Sequence, residues 1–566
     1  MNFIIVESPS KCQKIKYFLQ TGNPTLSFDV RGCCGHFREI VSIDPNTFDI
    51  SFQIMKEKKK YIQTISRSFQ KYSSVELWIA TDNDREGEAI GWHLCTYLKK
   101  NPYRTKRLRF NEISFHAIQQ AFQNPSVLNP HLIDAQITRQ ILDRWIGFTF
   151  SPLVSSQLGK KWLSAGRCQT PTLKLVLDNE EERDTVSDES HFEMTGVFSG
   201  KLFECTSSFS TERQADIFVQ KCKTQPFPFD MTETIVSKYP PKPFKTSTLQ
   251  QHCSTYWKWS PTFTMKRAQS LYEQGFITYH RTDSTQLSKT FQKKARDHIE
   301  STYGTEYVRS HSTISSSKQG AHEGIRPICL QKENNDMLYK LILKQTLQSL
   351  MTDAKVNETE IKIRTHRPTI FFVRKIQRYL FLGYLRLDPS KTVTTSNESI
   401  PKTWRLERIR IQEKLKHYVS YLSESQIISS LEKKGIGRPS TFASFVHKIL
   451  QRRYVEKDDL IQESNRPFLS KEWNCESGDV TTLSEILQQK ETQKLILSDL
   501  GKKVLSYLYE KHSSFFNYEY TKTIESLLDQ ISEGTVQKNV ILKKIQSELK
   551  NHANVSSFSE NPSLVG

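Results

Sequence analysis

Two short apolar runs, each followed by acidic and turn-forming residues and then by a helical pattern, constrain the fold of this chain most. The first run, residues 3–6, ends at Glu7 and precedes Ser-Pro-Ser-Lys, and the second, residues 77–80, leads into the acidic stretch 81–88. Buried strands that alternate with helices are typical of an α/β domain with a parallel sheet. Because the carboxyl ends of such strands border one crevice, Glu7 is predicted to lie near the acidic stretch.

The acidic stretch places Asp82, Asp84 and Glu86 at alternate positions. Two like charges ~4 Å apart repel by roughly 4 kcal/mol at an effective dielectric of 20, and a hard divalent cation relieves that repulsion. Together with Glu7 these acids are therefore predicted to bind a metal ion, with Mg²⁺ as the natural choice. A solvated acidic turn is the alternative interpretation, and the apolar strands before both acidic elements favour the metal site.

A third segment, residues 271–285, places a tyrosine hydroxyl beside a fixed cation. A helical pattern ends at Gly275, and the residues after it are predicted to form a short strand in which Tyr279, Arg281 and Asp283 face the same space. A phenol that attacks a phosphodiester needs charge stabilisation, which a guanidinium supplies without losing its own charge. Packing and solvation of an ordinary tyrosine and arginine pair remain the alternative from this pattern alone.

Composition adds the class of partner and excludes several classes of protein. The 566 residues include 80 Lys and Arg against 61 Asp and Glu, a net charge of +19, which favours a polyanion. The length predicts roughly three to five domains. No apolar run approaches the ~20 residues needed to cross a bilayer, so we expect an intracellular protein without a membrane segment. The ten cysteines form no Cys-x-x-Cys pair, which argues against zinc ribbons and a disulfide framework.

Residues 271–285 resemble the active-site signature of type IA DNA topoisomerases, and Glu7 with Asp82-x-Asp84-x-Glu86 resembles the toprim domain of topoisomerases, primases and some nucleases. The resemblance implies that Tyr279 becomes linked to a DNA 5′ phosphate, with Arg281 beside it. It also implies Mg²⁺ at the acids, with Glu7 near the scissile phosphate. Lys11 matches a lysine implicated in cleavage, where a cation near the departing 3′ oxygen stabilises or protonates it. No requirement for ATP or zinc is expected.

Further blocks in the expected order extend the resemblance over nearly all of residues 1–545. The DNA-binding residues that these blocks imply are His36, Arg139, Asp143, Ser164, Ala165, Gly166, Arg167, Cys168, Gln169, Asp283, His322, Arg326, Arg438, Ser440 and Thr441. The chain departs from the family pattern at Cys33 and Cys34, which replace small polar residues, and at Gln140, which replaces a second arginine. An intrahelical ion pair is the simpler account of Arg139 and Asp143.

The predicted architecture is multidomain, α/β plus α and β, with a Rossmann-like toprim domain in a four-domain toroidal core. A helical domain that carries the tyrosine is inserted between two halves of a β-rich arch. The predicted segments are a toprim domain (1–115), two parts of a helical DNA-binding domain (116–185 and 416–548), two parts of the arch (186–240 and 351–415), the tyrosine domain (241–350) and a disordered tail (549–566). A mobile loop is predicted at 312–317, and the helical periodicity of 497–534 favours a scaffold.

The function predicted from the resemblance is ATP-independent relaxation of negatively supercoiled DNA through a transient 5′-phosphotyrosine link. The chain contains no Gly-x-x-x-x-Gly-Lys-Ser/Thr phosphate loop. The expected partner is single-stranded or underwound DNA, bound by a monomer in the cytoplasm or nucleoid of a bacterium or in the replication compartment of a virus-infected cell. A topoisomerase III-like decatenase is the nearest alternative. A toprim nuclease or primase explains the acids but gives Tyr279 no role.

Overall fold

The computed structural model describes residues 1–186, 189–222, 227–309, 323–330, 334–393 and 400–553. The strands within these ranges are β1 (Asn2–Val6), β2 (Phe28–Gly32), β3 (Arg38–Ile43), β4 (Ile50–Ile54), β5 (Glu76–Ala80), β6 (Lys106–Arg107), β7 (Ser190–Phe198), β8 (Lys201–Cys205), β9 (Phe229–Lys238), β10 (Ala354–Arg364), β11 (Phe371–Phe381), β12 (Leu406–Leu415), β13 (Val455–Asn474) and β14 (Val480–Leu497).

The α-helices of the same ranges are α1 (Cys12–Gly22), α2 (Lys59–Gln70), α3 (Arg85–Tyr97), α4 (Phe115–Gln123), α5 (Pro130–Gln157), α6 (Gln169–Thr185), α7 (Glu212–Cys222), α8 (Thr246–Trp257), α9 (Pro261–Glu273), α10 (Lys289–Tyr303), α11 (Met337–Leu350), α12 (Glu424–Lys433), α13 (Phe442–Gln451), α14 (Asp499–Phe516), α15 (Tyr518–Glu533) and α16 (Lys538–Ala553). Where the structure is described, none of these helices is both long and apolar enough to cross a bilayer.

The first sheet has the strand order β2-β1-β5-β6, and its strands run parallel. Val6 at the end of β1 lies opposite Gly32 of β2 on one side and Ala80 of β5 on the other. The three loops that follow these residues therefore leave the sheet at the same edge. This register is what brings Glu7 next to the acidic stretch after β5, as the α/β pattern of the sequence predicts.

The two faces of this sheet belong to two different hydrophobic cores. Phe3 and Ile5 point into a core shared with α2, α3 and α5, which continues into the C-terminal helices. Ile4 and Val6 point into a second core that is shared with α1, α4 and α9 and contains Tyr279. Because side chains alternate along a strand, one short strand ties the acidic edge to both helical layers. The site therefore lies at the edge of a sheet that is packed between two hydrophobic cores.

An eight-stranded sheet with the order β14-β13-β12-β7-β8-β11-β10-β9 forms the β-rich part of the chain. Strands β9 and β10 pair along their lengths, although the four helices α8 to α11 lie between these strands in the sequence. The hairpin of β13 and β14 continues the same sheet through pairing of β13 with β12. Residues 455–497 thus extend the arch, and the predicted helical segment 416–548 is wrong for this stretch, because polar residues on both faces hide its strand period.

Two further local predictions differ from the structure. The residues after Gly275, which has φ +66°, form no regular strand, and only an isolated bridge joins Ile277 to Pro327. Helix α16 continues to Ala553, past the predicted start of the tail. The loop predicted at 312–317 and the rest of the tail lie outside the described residues.

Candidate active site and nucleic-acid groove

The acidic edge of the first sheet holds Glu7, Asp82 and a buried lysine. Lys11 follows the turn after β1, is fully buried, and forms an ion pair with Asp82. The backbone N–H of Asp82 points at Glu7 Oε2 at 3.4 Å. Burial, together with the neighbouring charges of Asp82 and Asp84, raises the pKa of Glu7 to about 8. Glu7 is therefore largely protonated at neutral pH in this arrangement and can donate a proton.

The segment that carries Tyr279 and Arg281 contacts the acidic stretch after β5. The hydroxyl of Tyr279 donates a hydrogen bond to Asp84 Oδ2 at 2.5 Å, and Arg281 Nη1 lies 3.1 Å from Glu86 Oε2. His36 Nε2 lies 3.3 Å from the other oxygen of Glu86. Hydrogen bonding from His36, with the charge of Arg281, lowers the pKa of Glu86 to about 2. Tyr279 and Arg281 thus face the same acids, although the predicted strand that was to align them is absent.

Asp84 performs two tasks in this site. Its side chain accepts from the backbone N–H of Gly87 at 2.7 Å and caps the start of α3. A Cβ atom at Gly87 would lie 2.1 Å from the carbonyl oxygen of Asp82, so the acidic loop requires glycine there. The cap sets the direction of the second Asp84 oxygen, the one that Tyr279 contacts.

The candidate nucleophile, the hydroxyl of Tyr279, is buried and keeps its proton at neutral pH. Tyr279 is 2 % exposed, and burial together with the charges of Asp84 and Asp82 raises the pKa of its hydroxyl well above the usual value. Tyr272, which sequence reasoning missed, packs its ring against Tyr279 with centroids 5.2 Å apart, and the Lys11 ammonium lies 4.7 Å from the centre of the same ring. Its position seven residues before Tyr279, in a helical pattern, offered only a packing signal.

The four acids supply the hard oxygen donors that Mg²⁺ prefers, and burial together with the charges of the neighbouring acids raises the pKa of Glu7. Each of these acids already has a protein partner, and no three His, Cys, Asp or Glu side chains in the described ranges converge as a metal cluster. The donor chemistry fits a divalent cation. A cation at this edge would take over the charge compensation that Lys11, His36 and Arg281 now provide.

A groove of about 680 Å³ opens beside these acids. We call it the arginine groove. It collects five of the fifteen sequence-predicted DNA-binding residues, together with Arg281 and two of the acids. Those in its wall are Asp84, Glu86, Arg139, Arg281, Asp283, Arg438, Ser440 and Thr441. Guanidinium and hydroxyl groups in a groove beside a tyrosine are suited to a phosphate backbone.

The block at 164–169 is mostly buried beneath this groove. Arg167 is 2 % exposed and forms ion pairs with Asp143 at 3.1 Å and with Glu525 at 2.8 Å. Ala165, Cys168 and Gln169 are also buried, while Ser164 and Gly166 are partly exposed. Asp143 also receives Arg139 at 3.6 Å, the predicted intrahelical pair. The structure therefore places Arg167 as an internal support of Asp143 and α15 and not at the groove surface.

One predicted residue lies at a different place. Arg326 is 5 % exposed, with Glu112 at 2.9 Å and Glu323 at 2.5 Å, and it lines a different cavity. His322 falls outside the described residues.

Helix α15, predicted as scaffold, contributes acids that hold the groove arginines. Asp529 pairs with Arg438 and lies 3.4 Å from Arg85 Nη1. Glu525 is 1 % exposed and lies 3.6 Å from the other Arg438 nitrogen. An acid four residues after another on a helix was the only local signal, and it is common on solvated helices.

Asp529→Asn is expected to strengthen binding of single-stranded DNA by about threefold, because it releases Arg438 and Arg85 from a partly exposed ion pair. Fluorescence anisotropy of a labelled oligonucleotide in EDTA measures the affinity without cleavage. Glu533→Gln is the matched control, since Glu533 lines the same groove and no ion pair to either arginine is found in the described residues. An equal gain in both variants would show that general repulsion, and not the pairs, limits binding.

Comparisons with known proteins agree with this geometry. Residues 2–113 match the family model described as "Toprim domain", and residues 127–465 match the one described as "DNA topoisomerase". The chain is 30% identical to "DNA topoisomerase 1" of Aquifex aeolicus, over 96% of this chain and 97% of that protein. It is 30% identical to "DNA topoisomerase 1 type prokaryotic" of Acanthamoeba polyphaga mimivirus, over 98% of this chain and 73% of that protein.

The fold is similar to that of a solved structure, full-length topoisomerase I from Thermotoga maritima. The TM-score is 0.79 at 28% sequence identity, and the match covers 99% of this chain and 91% of that one.

Proposed function

Because this chain belongs to the type IA DNA topoisomerase family, we propose that it relaxes negatively supercoiled DNA without ATP, by cutting one strand through Tyr279. The observation that carries this proposal is the contact between the Tyr279 hydroxyl and Asp84, with Arg281 beside Glu86. It places a phenol oxygen, a permanent cation and the acidic edge in one space. A nuclease or primase reading gives no function to that phenol.

In the proposed cleavage step the Tyr279 oxygen forms a bond to the scissile phosphorus while the bond to the 3′ oxygen breaks. The phenol proton passes toward Asp84, which already accepts its hydrogen bond at 2.5 Å. Arg281 stabilises the charge that builds on the non-bridging oxygens. The departing 3′ oxygen takes a proton, and the cation of Lys11 is the candidate that stabilises or protonates it.

Mg²⁺ is the proposed metal, held by Glu7, Asp82, Asp84 and Glu86, and when bound it would supply positive charge beside the scissile phosphate. The number of phosphate ester bonds is the same before and after the step, so no ATP is needed. Attack by the free 3′ hydroxyl on the phosphotyrosine reverses the reaction. The DNA proposed for this cycle is single-stranded or underwound, because the groove presents side chains that suit one backbone.

Strand passage requires the part of the chain that carries Tyr279 to separate from the first sheet, which breaks polar contacts at the site as well as part of the core that Ile4 and Val6 share with α9. Ser10 Oγ donates to Glu273 at 2.5 Å, and Lys14 Nζ donates to the carbonyl of Gln274 at 2.5 Å. The backbone N–H of Tyr279 donates to the carbonyl of Asn111 at 2.7 Å. These polar contacts can be exchanged for water, which supports a hinged opening as the proposed gate.

The test is relaxation of negatively supercoiled plasmid with Mg²⁺ and without ATP, with denaturing gels that detect protein on 5′ ends. Stepwise relaxation with a 5′ adduct supports the proposal, and omission of Mg²⁺ is expected to stop relaxation. Nicking without an adduct would favour a toprim nuclease. Parallel assays on catenated circles separate relaxation from decatenation, since a decatenase would unlink these circles faster than it removes supercoils.

A further inference from the structure

A second cavity, of about 810 Å³, shares Asn83 and Arg109 with the arginine groove and is otherwise lined by different residues. We call it the second cavity. The segment 109–124 of the first domain, including the start of α4, forms one wall, and the start of α10 with residues 323–328 forms the other. The second cavity therefore lies between the first domain and the part of the chain that carries Tyr279.

Tyr279 stands between the two spaces. Its hydroxyl contacts Asp84, which lines the arginine groove. Its backbone N–H contacts the carbonyl of Asn111, which lines the second cavity. Asn83, which both spaces share, donates a hydrogen bond to the Asn111 side chain at 2.9 Å. Tyr279 thus contacts one residue of each space.

The charges of the second cavity leave two cations available. Arg326 is neutralised by Glu112 and Glu323. Arg109 lies 3.6 Å from Glu88, a distant contact with a carboxylate that already holds Arg107 at 2.9 Å. Lys294 is exposed on α10, and the described part of the chain offers it no ion pair. The wall thus carries more positive than negative charge, and the amino ends of α4 and α10 add to the positive potential.

The same wall presents an exposed aromatic side chain. Phe115 is 45 % exposed, opens α4, and is held from behind by Phe18, with ring centroids 6.1 Å apart. An exposed ring fixed near two cations is the arrangement by which proteins bind single strands without sequence preference, through base stacking and phosphate contacts. Phe115 is not part of either hydrophobic core of the first domain, so core packing does not explain why a phenylalanine stands at this exposed position.

We propose that the second cavity binds the DNA strand on the side of the scissile phosphate opposite the arginine groove. Arg109 and Lys294 contact its phosphates, and Phe115 stacks on one of its bases. The inference rests on the proposed function, because it needs a strand that crosses Tyr279. It adds a second contact that holds the strand across Tyr279 while the gate is closed.

The test uses one oligonucleotide whose cleavage position has been mapped with the wild-type protein, and two shorter ones that lack the nucleotides on one or the other side of that position. Binding is measured by anisotropy in the Tyr279→Phe background. Lys294→Gln and Phe115→Ala are expected to weaken binding of the full oligonucleotide by at least about threefold. Neither is expected to change binding of the oligonucleotide that lacks the far-side nucleotides.

Lys293→Gln is the matched control, because Lys293 is the adjacent exposed lysine of α10 and does not line the second cavity. For Lys294→Gln the slope of log affinity against log salt is expected to fall by about 0.7 on the full oligonucleotide only. Equal losses on all three oligonucleotides, or no loss on any, would overturn the inference. If the wild-type protein forms no adduct, no cleavage position can be mapped, and the proposed function fails instead.

Discussion

Tyr279→Phe is expected to abolish relaxation and the 5′ adduct, with a loss of more than about a thousandfold, because it removes the only atom proposed to bond to phosphorus. The change deletes one hydroxyl whose partner, Asp84, keeps its bond to the Gly87 backbone. Stability should therefore change by less than about 1.5 kcal/mol. The measurement is plasmid relaxation together with a denaturing gel for protein-linked ends, and thermal melting checks the fold.

Tyr272→Phe is the matched control for this experiment. The Tyr272 hydroxyl is buried, and no hydrogen-bond partner for it is found in the described ranges, while its ring packs on Tyr279 and Lys11. Its loss should leave relaxation within about threefold of wild type, since the ring contacts persist. A Tyr279→Phe protein that still forms an adduct would move the nucleophile to another residue. Equal inactivation of both variants would point to loss of packing.

Glu525→Gln is expected to destabilise the C-terminal helical body by about 3 to 5 kcal/mol, because Arg167 would remain buried with half of its charge compensation removed. Glu525 and Arg167 are 1 % and 2 % exposed and lie 2.8 Å apart. Burial alone would raise the pKa of Glu525, but the charges of Arg167, Arg139 and Arg438 lower it to about 2. The measurement is the midpoint of thermal or urea unfolding.

The pH dependence provides a second test of the same pair. A carboxyl whose pKa is 4.5 when unfolded and about 2 when folded contributes stability that is fully present above pH ~4.5 and is lost as pH falls toward 2. The difference between wild type and Glu525→Gln should thus be constant from pH 6 to 8 and shrink below pH ~4.5. Glu519→Gln, on the exposed side of the same helix, should differ from wild type by less than about 0.5 kcal/mol. Equal midpoints for Glu525→Gln and wild type would contradict the assignment.

The acidic edge and the tyrosine were predictable from sequence because both follow from local patterns. An apolar run of four residues before Glu7, and another before Asp82, predict parallel strands whose ends meet, and β1 and β5 pair in that register. Motif order then predicted the family, which the comparisons confirm. The strand expected after Gly275 was wrong, yet Tyr279 and Arg281 still reach the acids. Their spacing along the chain was informative, while the backbone conformation that achieves the contact was not.

The sequence by itself determined which acids gather at the end of the first sheet, and it predicts the phenol that attacks and a polyanionic partner. The tertiary structure alone decided how the arginines are used. Arg167 is buried against Glu525, Arg438 is paired with Asp529, and Lys294 is left open at the second cavity. A motif is defined by residues that are adjacent in the chain. The burial and the ion-pair partners of a charged side chain depend on helices that are distant in the sequence. The sequence around an arginine is therefore the same whether its side chain stabilises the fold or is available to bind a phosphate.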